Sequence, residues 1–167
     1  MFLAVIQSVL DTGRASVDPE TKTIINTDDL ISYMGSSNFQ IHLSPADYIV
    51  IIQKCRLTEN SDYVLDWCDL AVSKYPKVQD ILEISIAAAL SSLDFAKAQK
   101  YIEKAQYIEE NLQKGLLERI LDYYEDILLL ETGKSSEHVR AELRNMTNLY
   151  IKQFPNDEAY FYSKAQD

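Results

Sequence analysis

The stretch Asp94-Phe95-Ala96-Lys97-Ala98-Gln99-Lys100-Tyr101-Ile102-Glu103-Lys104-Ala105 decides the fold. Ala98 and Ala105 stand two helical turns apart, near one face of a helix. Small side chains there let a second helix come close. Phe95, Tyr101 and Ile102 supply the bulk that fills the space around such a contact.

One helical-hairpin repeat is about 34 residues long. At that distance before Ala105 stands Ala71, within Trp67-Cys68-Asp69-Leu70-Ala71-Val72-Ser73-Lys74-Tyr75-Pro76. Pro76 cannot donate into a continuing helix and pushes Tyr75 out of the helical region, so it reads as a stop. A second aromatic-proline ending is Tyr150-Ile151-Lys152-Gln153-Phe154-Pro155. Asn156 after it reads as the cap of another helix, with Asp157 and Glu158 in its first turn. One repeat after Ala105 stands Val139, out of phase with that ending, so the third unit is expected to be longer or irregular.

From Pro45 to Glu110 the chain resembles tetratricopeptide repeats. The likeness rests on the Asp94-Phe95 opening, on Ala98 and Ala105 with Tyr101 and Ile102 between them, and on the Tyr75-Pro76 ending. The chain departs from the pattern at Val64, which stands where Ala98 stands in the next unit. It departs again at Glu110, where the family often places proline. The resemblance implies an all-α stack of antiparallel helical hairpins wound into a superhelix, and a function of binding other proteins. Family members that hold chaperone tails grip a peptide carboxylate with Lys, Asn and Arg on the first helices. The matching positions here are Ile49, Gln53 and Ile84, so that clamp is missing.

Composition agrees with long helices. Only four Gly and four Pro interrupt 167 residues, 47% of them apolar, enough for a core without disulfide or metal staples. Ser44-Pro45 reads as an N-cap with proline at the first helical position. Periodicity and breakers then predict helices over 45–57, 61–75, 78–92, 94–110, 112–132, 135–153 and 156–165. Residues 1–44 form a small irregular N-terminal region expected to pack on the repeat domain, 45–167. Within it Thr21–Ile25 and Phe39–Leu43 suit short strands. Asp28–Gly35 suits a short helix with Thr27 as its cap. Met1–Leu10 is apolar but lacks the basic start and small-residue cleavage site of a signal peptide.

The net charge of −10 argues against nucleic acid and against an anionic membrane surface. No run is long and apolar enough for membrane insertion. Glu118, Asp122, Glu125, Asp126 and Glu131 alternate with Leu117, Ile120, Leu121, Ile127 and Leu128. That pattern reads as the wet face of an amphipathic helix, or as a docking strip for a basic partner. Arg140 and Arg144 share a face one turn apart and are expected to pair with Glu137 and Glu142.

Little in the chain suggests catalysis. Gly133-Lys134-Ser135 resembles the end of a phosphate-binding loop, but Leu128 stands where the first glycine belongs, so a helix-to-helix turn is expected. His42 and His138 have no second ligand at metal spacing. Cys55 and Cys68 fit neither a zinc site nor a disulfide framework and read as buried small hydrophobes, which suits a reducing, cytoplasmic setting. Trp67 reads as core. The eleven tyrosines suit either half-buried packing between helices or the lining of a peptide groove.

The expectation is therefore an adaptor or assembly component, without catalytic residues, cofactor or metal; the alternative is a small acidic secretion chaperone holding an export client. In such stacks the first helices of the hairpins, 45–57, 78–92 and 112–132, line the concave surface. The expected contact residues are Gln53 on the first, Glu83 and Ala87 on the second, and Tyr123 and Tyr124 on the third. An acidic, aromatic groove favours a protein or peptide carrying Lys or Arg beside an apolar anchor. A homo-oligomer stays open.

Overall fold

The structure, a computed structural model, describes residues 43–57, 63–108, 111–130, 135–157 and 160. These residues form six α-helices and no strand: α1 Pro45–Leu57, α2 Val64–Lys74, α3 Gln79–Ser91, α4 Phe95–Ala105, α5 Lys114–Leu130 and α6 Ser135–Gln153. The chain divides into two compact units, Met1–Tyr107 and Ile108–Asp167. The strands and helix expected before residue 44, and most of the helix expected over 156–165, lie outside the described residues.

Each helix of the first unit has a local reason to begin or end where it does. At α1 the Ser44 hydroxyl accepts from the Asp47 amide at 3.3 Å. The Asp47 carboxylate in turn accepts from the Ser44 amide and hydroxyl at 2.8 and 2.7 Å. This reciprocal cap satisfies amides that the first turn leaves without helical partners. At α4 the Asp94 side chain accepts from the Lys97 amide at 3.0 Å. Helix α4 stops at Ala105, short of the expected Glu110: Gln106 and Tyr107 form an exposed turn and bury nothing that would extend the helix.

The two aromatic-proline endings share one backbone solution. The Tyr75 amide donates to Ala71 at 2.8 Å, and the Val78 amide returns to Tyr75 at 3.2 Å. The Phe154 amide donates to Tyr150 at 2.8 Å, and the Asp157 amide returns to Phe154 at 3.2 Å. The same local sequence thus closes α2 and α6 in the same way.

Between α3 and α4 the chain turns through Leu93 at φ 56°, a left-handed conformation that glycine adopts without strain. The Asp94 amide donates to Ala89 and the Leu93 amide to Leu90, both at 2.9 Å, the paired bonds that end a helix at a left-handed residue. Leu93 is 75% exposed, so its side chain gains little from burial to offset the strain. Leu93→Gly is expected to stabilise the chain by about 0.5–1 kcal/mol. A lower melting temperature for that variant would show that the leucine side chain supports the turn.

In the first unit α1 packs on α2 and on α3, α2 on α3, and α3 on α4. Helix α3 lies between the others and is apolar nearly all round, burying Ile81, Leu82, Ile84, Ser85, Ile86, Ala88 and Ala89. Trp67 is fully buried, with its ring 6.4 Å from that of Tyr48. Tyr48 also meets Tyr75 edge-on at 5.9 Å, and the Tyr75 hydroxyl donates to the Leu43 carbonyl at 2.6 Å. The end of α2 is thereby fixed beside the start of α1. Asp69 on α2 grips α4 twice, accepting from Lys97 at 2.6 Å and from the Tyr101 hydroxyl at 2.7 Å.

Ala98 and Ala105 are both buried on α4, which packs on α3, as their spacing predicts. Ala98→Leu is expected to overpack that contact and cost about 1–3 kcal/mol. Thermal unfolding measures it; an unchanged midpoint would mean that Ala98 does not sit at a tight contact.

In the second unit α5 and α6 pack antiparallel. Leu117, Leu121 and Tyr150 form its buried cluster, flanked by Leu112, Leu143, Met146, Leu149, Phe154 and Tyr160.

Candidate interaction surfaces

The residues expected to face a groove fall in both units. Gln53 is exposed on α1. Glu83 and Ala87, one turn apart on α3, are both half-buried and share a face. Tyr123 and Tyr124 belong to the second unit, with their rings edge-on at 5.2 Å. Tyr124 is half-buried, while Tyr123 is only 7% exposed. The reason is register: Leu116, Ile120 and Tyr123 follow helical spacing along a buried stripe of α5. Tyr124, one residue on, turns away from that stripe.

The acids of α5 do not form a simple wet face. Glu118, Asp122, Glu125 and Asp126 are all half-buried. Glu118 accepts from the Tyr150 hydroxyl at 3.1 Å, and Asp122 pairs with Arg119 at 2.6 Å. Glu118, Asp122, Glu125 and Asp157 all lie close enough to Tyr160 to act on its phenol, which burial first and these carboxylates second push up to about 12. The expected pairing of Arg140 and Arg144 with Glu137 and Glu142 is not formed among the described residues. An exposed pair gains too little to hold two long side chains in one geometry.

A polar knot ties the end of α6 to the start of α5. Lys114 pairs with Asp157 at 2.7 Å and approaches Glu118 at 3.8 Å. The Tyr150 hydroxyl donates towards Asp157 as well as Glu118, and the Tyr150 ring stacks on Tyr160 at 4.0 Å. Lys114 and the Tyr150 hydroxyl hold the Asp157 carboxyl below the usual aspartate range, and Asp157 holds the Lys114 ammonium above its ordinary value. The depressed Asp157 contributes stability above the ordinary aspartate range, lost as pH falls through its lowered value. The raised Lys114 contributes below the ordinary lysine range, lost as pH rises through its raised value. The knot is therefore intact across neutral pH. Asp157→Asn is expected to lower the melting temperature at about pH 7, and the gap to the parent should narrow as pH falls below the ordinary aspartate range and through the lowered Asp157 value. A gap that persists in acid would assign the effect to packing instead. Beside the knot an open groove of about 550 Å³ is lined by Leu112, Lys114, Lys152, Gln153 and Phe154, among others.

Neither cysteine is in a disulfide and both are buried, and burial pushes the Cys55 thiol up to about 11 and the Cys68 thiol up to about 12. Both stay protonated at neutral pH, which removes their nucleophilic and metal-binding form. Among the described residues no group of three or more His, Cys, Asp or Glu side chains is placed to hold a metal ion, and no helix is long and apolar enough to cross a membrane. His138 is exposed; His42, Gly133 and Lys134 lie outside the described residues.

The surface that the residue-by-residue reading missed is the far end of α5. Tyr123 is its last buried residue. From Tyr124 to Leu130 none is buried, and Leu129 and Leu130 are 84% and 66% exposed. The signal was present as the run Ile127-Leu128-Leu129-Leu130. Four consecutive helical residues sweep about 300°, so they cannot all face one stripe.

No family model matches the chain, and neither a curated protein nor a solved structure does.

Proposed function

We propose that this chain is a protein-interaction module of tetratricopeptide-like build, working as an adaptor or assembly component in the cytoplasm. The observation that carries the reading is the packing of α3 on α4 with Ala98 and Ala105 buried, within a unit where α1 also packs on both α2 and α3. The first helices of that unit's two hairpins, α1 and α3, then lie side by side, and their outer faces make a continuous binding surface. The recurring aromatic-proline turn at Tyr75 and Phe154 supports a repeated unit. Buried cysteines outside any disulfide suit a reducing compartment.

On this reading Gln53, Glu83 and Ala87 contact the partner on the first unit; Tyr124, half-buried, is a candidate contact on the second unit by itself, and Tyr123, buried, is left out. The partner is a protein or peptide with Lys or Arg beside an apolar anchor, drawn by the net charge of −10. The test is the affinity of the native partner, recovered by affinity capture and then purified, for Gln53→Ala, Glu83→Lys and Tyr124→Ala across a salt series. Glu83→Lys should weaken binding about tenfold or more and flatten its salt dependence. Unchanged affinity in all three folded variants would reject the groove.

A further inference from the structure

We propose that Leu93, at the tip of the turn between α3 and α4, is a fixed apolar knob that enters a recess on a different, folded protein. This rests on the reading of the chain as an interaction module and names the shape of the partner that module takes.

Among the described residues Leu93 is the only one other than glycine with a positive φ, 56°. A leucine there carries backbone strain that a glycine would not. Burial of the side chain would offset it, and Leu93 is 75% exposed. The helix ending does not use the side chain either. The apolar contact that accompanies an ending of this kind comes from the residue after the left-handed one, and that residue is Asp94. An exposed leucine alone is ordinary. One that is exposed, strained and unused by its own turn is matched to a contact outside the chain.

The backbone is built to present it. On one side the Leu93 amide donates to Leu90 and the Asp94 amide to Ala89, both at 2.9 Å. On the other the Asp94 carboxylate accepts from the Lys97 amide and the Asp94 carbonyl from the Ala98 amide, both at 3.0 Å. Leu93 is thus clamped between the ends of two helices that pack on each other. A side chain on a fixed backbone has little further freedom to lose on binding, so its burial appears as affinity.

Shape sets the class of partner. Leu93 stands beside exposed Ser91 and Ser92 and offers a knob, with no cleft of its own. A flexible segment has no recess to receive a knob, whereas a folded surface with an aliphatic or aromatic pocket does.

The probe is the native partner, recovered on the immobilised parent chain and purified. Its affinity is read by titration calorimetry for the parent, Leu93→Gly, Leu93→Asn and Leu93→Met, with a melting curve for each. Glycine and asparagine both accept positive φ, so neither disturbs the turn. Both variants should melt at or above the parent, yet bind about tenfold or more weaker. Leu93→Met keeps an apolar side chain of similar volume and should stay within about threefold of the parent. Digestion of the partner to peptides should abolish the difference between the parent and Leu93→Gly.

Parent-like affinity of Leu93→Gly or Leu93→Asn overturns the proposal. So does a Leu93→Met as weak as Leu93→Asn, because the contact would then not be apolar. A Leu93 dependence that survives digestion would give the contact to a flexible segment, and a parent dimer that Leu93→Asn dissociates would give it to a second copy, both against the proposal. The module reading itself falls on a separate result, native partner binding that ignores Gln53, Glu83 and Tyr124.

Discussion

Trp67→Ala is expected to cost about 3–5 kcal/mol, the cost of removing a large aromatic side chain from a packed core. Trp67 is fully buried on α2, where α1, α2 and α3 all pack on one another. Its removal opens a cavity bordered by Tyr48, whose ring lies 6.4 Å away, and leaves that ring with Tyr75 as its aromatic neighbour among the described residues. Small domains hold only about 5–15 kcal/mol in total, so the loss is a large share of the whole. For a chain of this length the midpoint should fall by roughly 6–20 °C. Trp67→Phe keeps a ring against Tyr48 and should cost less. Trp67 is the only tryptophan, so its fluorescence vanishes in the variant and circular dichroism is the measurement to use. A midpoint within about 2 °C of the parent would mean that the hairpin contacts described around Trp67 do not hold the unit together.

Where the fold was legible, a local rule and the tertiary packing pointed the same way. Ser44-Pro45, Asp94-Phe95, Tyr75-Pro76 and Phe154-Pro155 each set a helix end through backbone chemistry confined to a few residues, and α1 and α6 begin and end where periodicity places them. Ala98 and Ala105 were legible because a small residue repeated at two turns has one common use, close helix approach. Leu93 was not legible as a turn. Nothing in a leucine announces positive φ, and its conformation follows from the helix-ending bonds of Asp94 and Leu93 rather than from its own preference.

The candidate surface was legible only in part, because exposure depends on which faces the rest of the chain covers. Glu83, Ala87 and Tyr124 are half-buried and Gln53 is open, but Tyr123 shares the buried stripe of Leu116 and Ile120. A single residue of register separates the two tyrosines, and sequence spacing alone cannot say which of two adjacent faces is covered. The acids of α5 teach the same lesson. Their alternation with leucines fixes an amphipathic helix, yet Glu118 turns inward to the Tyr150 hydroxyl because that phenol needs an acceptor when its ring is buried. Solubility is the usual work of a helical carboxylate, and a buried tyrosine one helix away is enough to change it.

Tyr150→Ala is the second variant expected to have a large effect, about 3–5 kcal/mol. Tyr150 is fully buried and joins three features of the second unit. Its ring belongs to the cluster of Leu117 and Leu121, stacks on Tyr160 at 4.0 Å and lies 5.2 Å from Phe154. Its hydroxyl stands between Glu118 and Asp157, the two carboxylates that Lys114 also approaches. A phenol has one proton, so it donates fully to one carboxylate at a time, and the lysine and the phenol together hold the Asp157 carboxyl below the usual aspartate range. Burial, then Asp157 and Glu118, all push the phenol well above its ordinary value. The two contributions separate in a second variant. Tyr150→Phe keeps the ring contacts and removes only the hydroxyl, and should cost about 1–3 kcal/mol. In acid, once Asp157 is protonated, the cost of Tyr150→Phe should shrink, whereas that of Tyr150→Ala should persist because packing does not titrate. Equal costs for the two variants at neutral pH would place the whole effect in the hydroxyl and its carboxylates. A harmless Tyr150→Ala would mean that α5 and α6 do not depend on this ring for their packing.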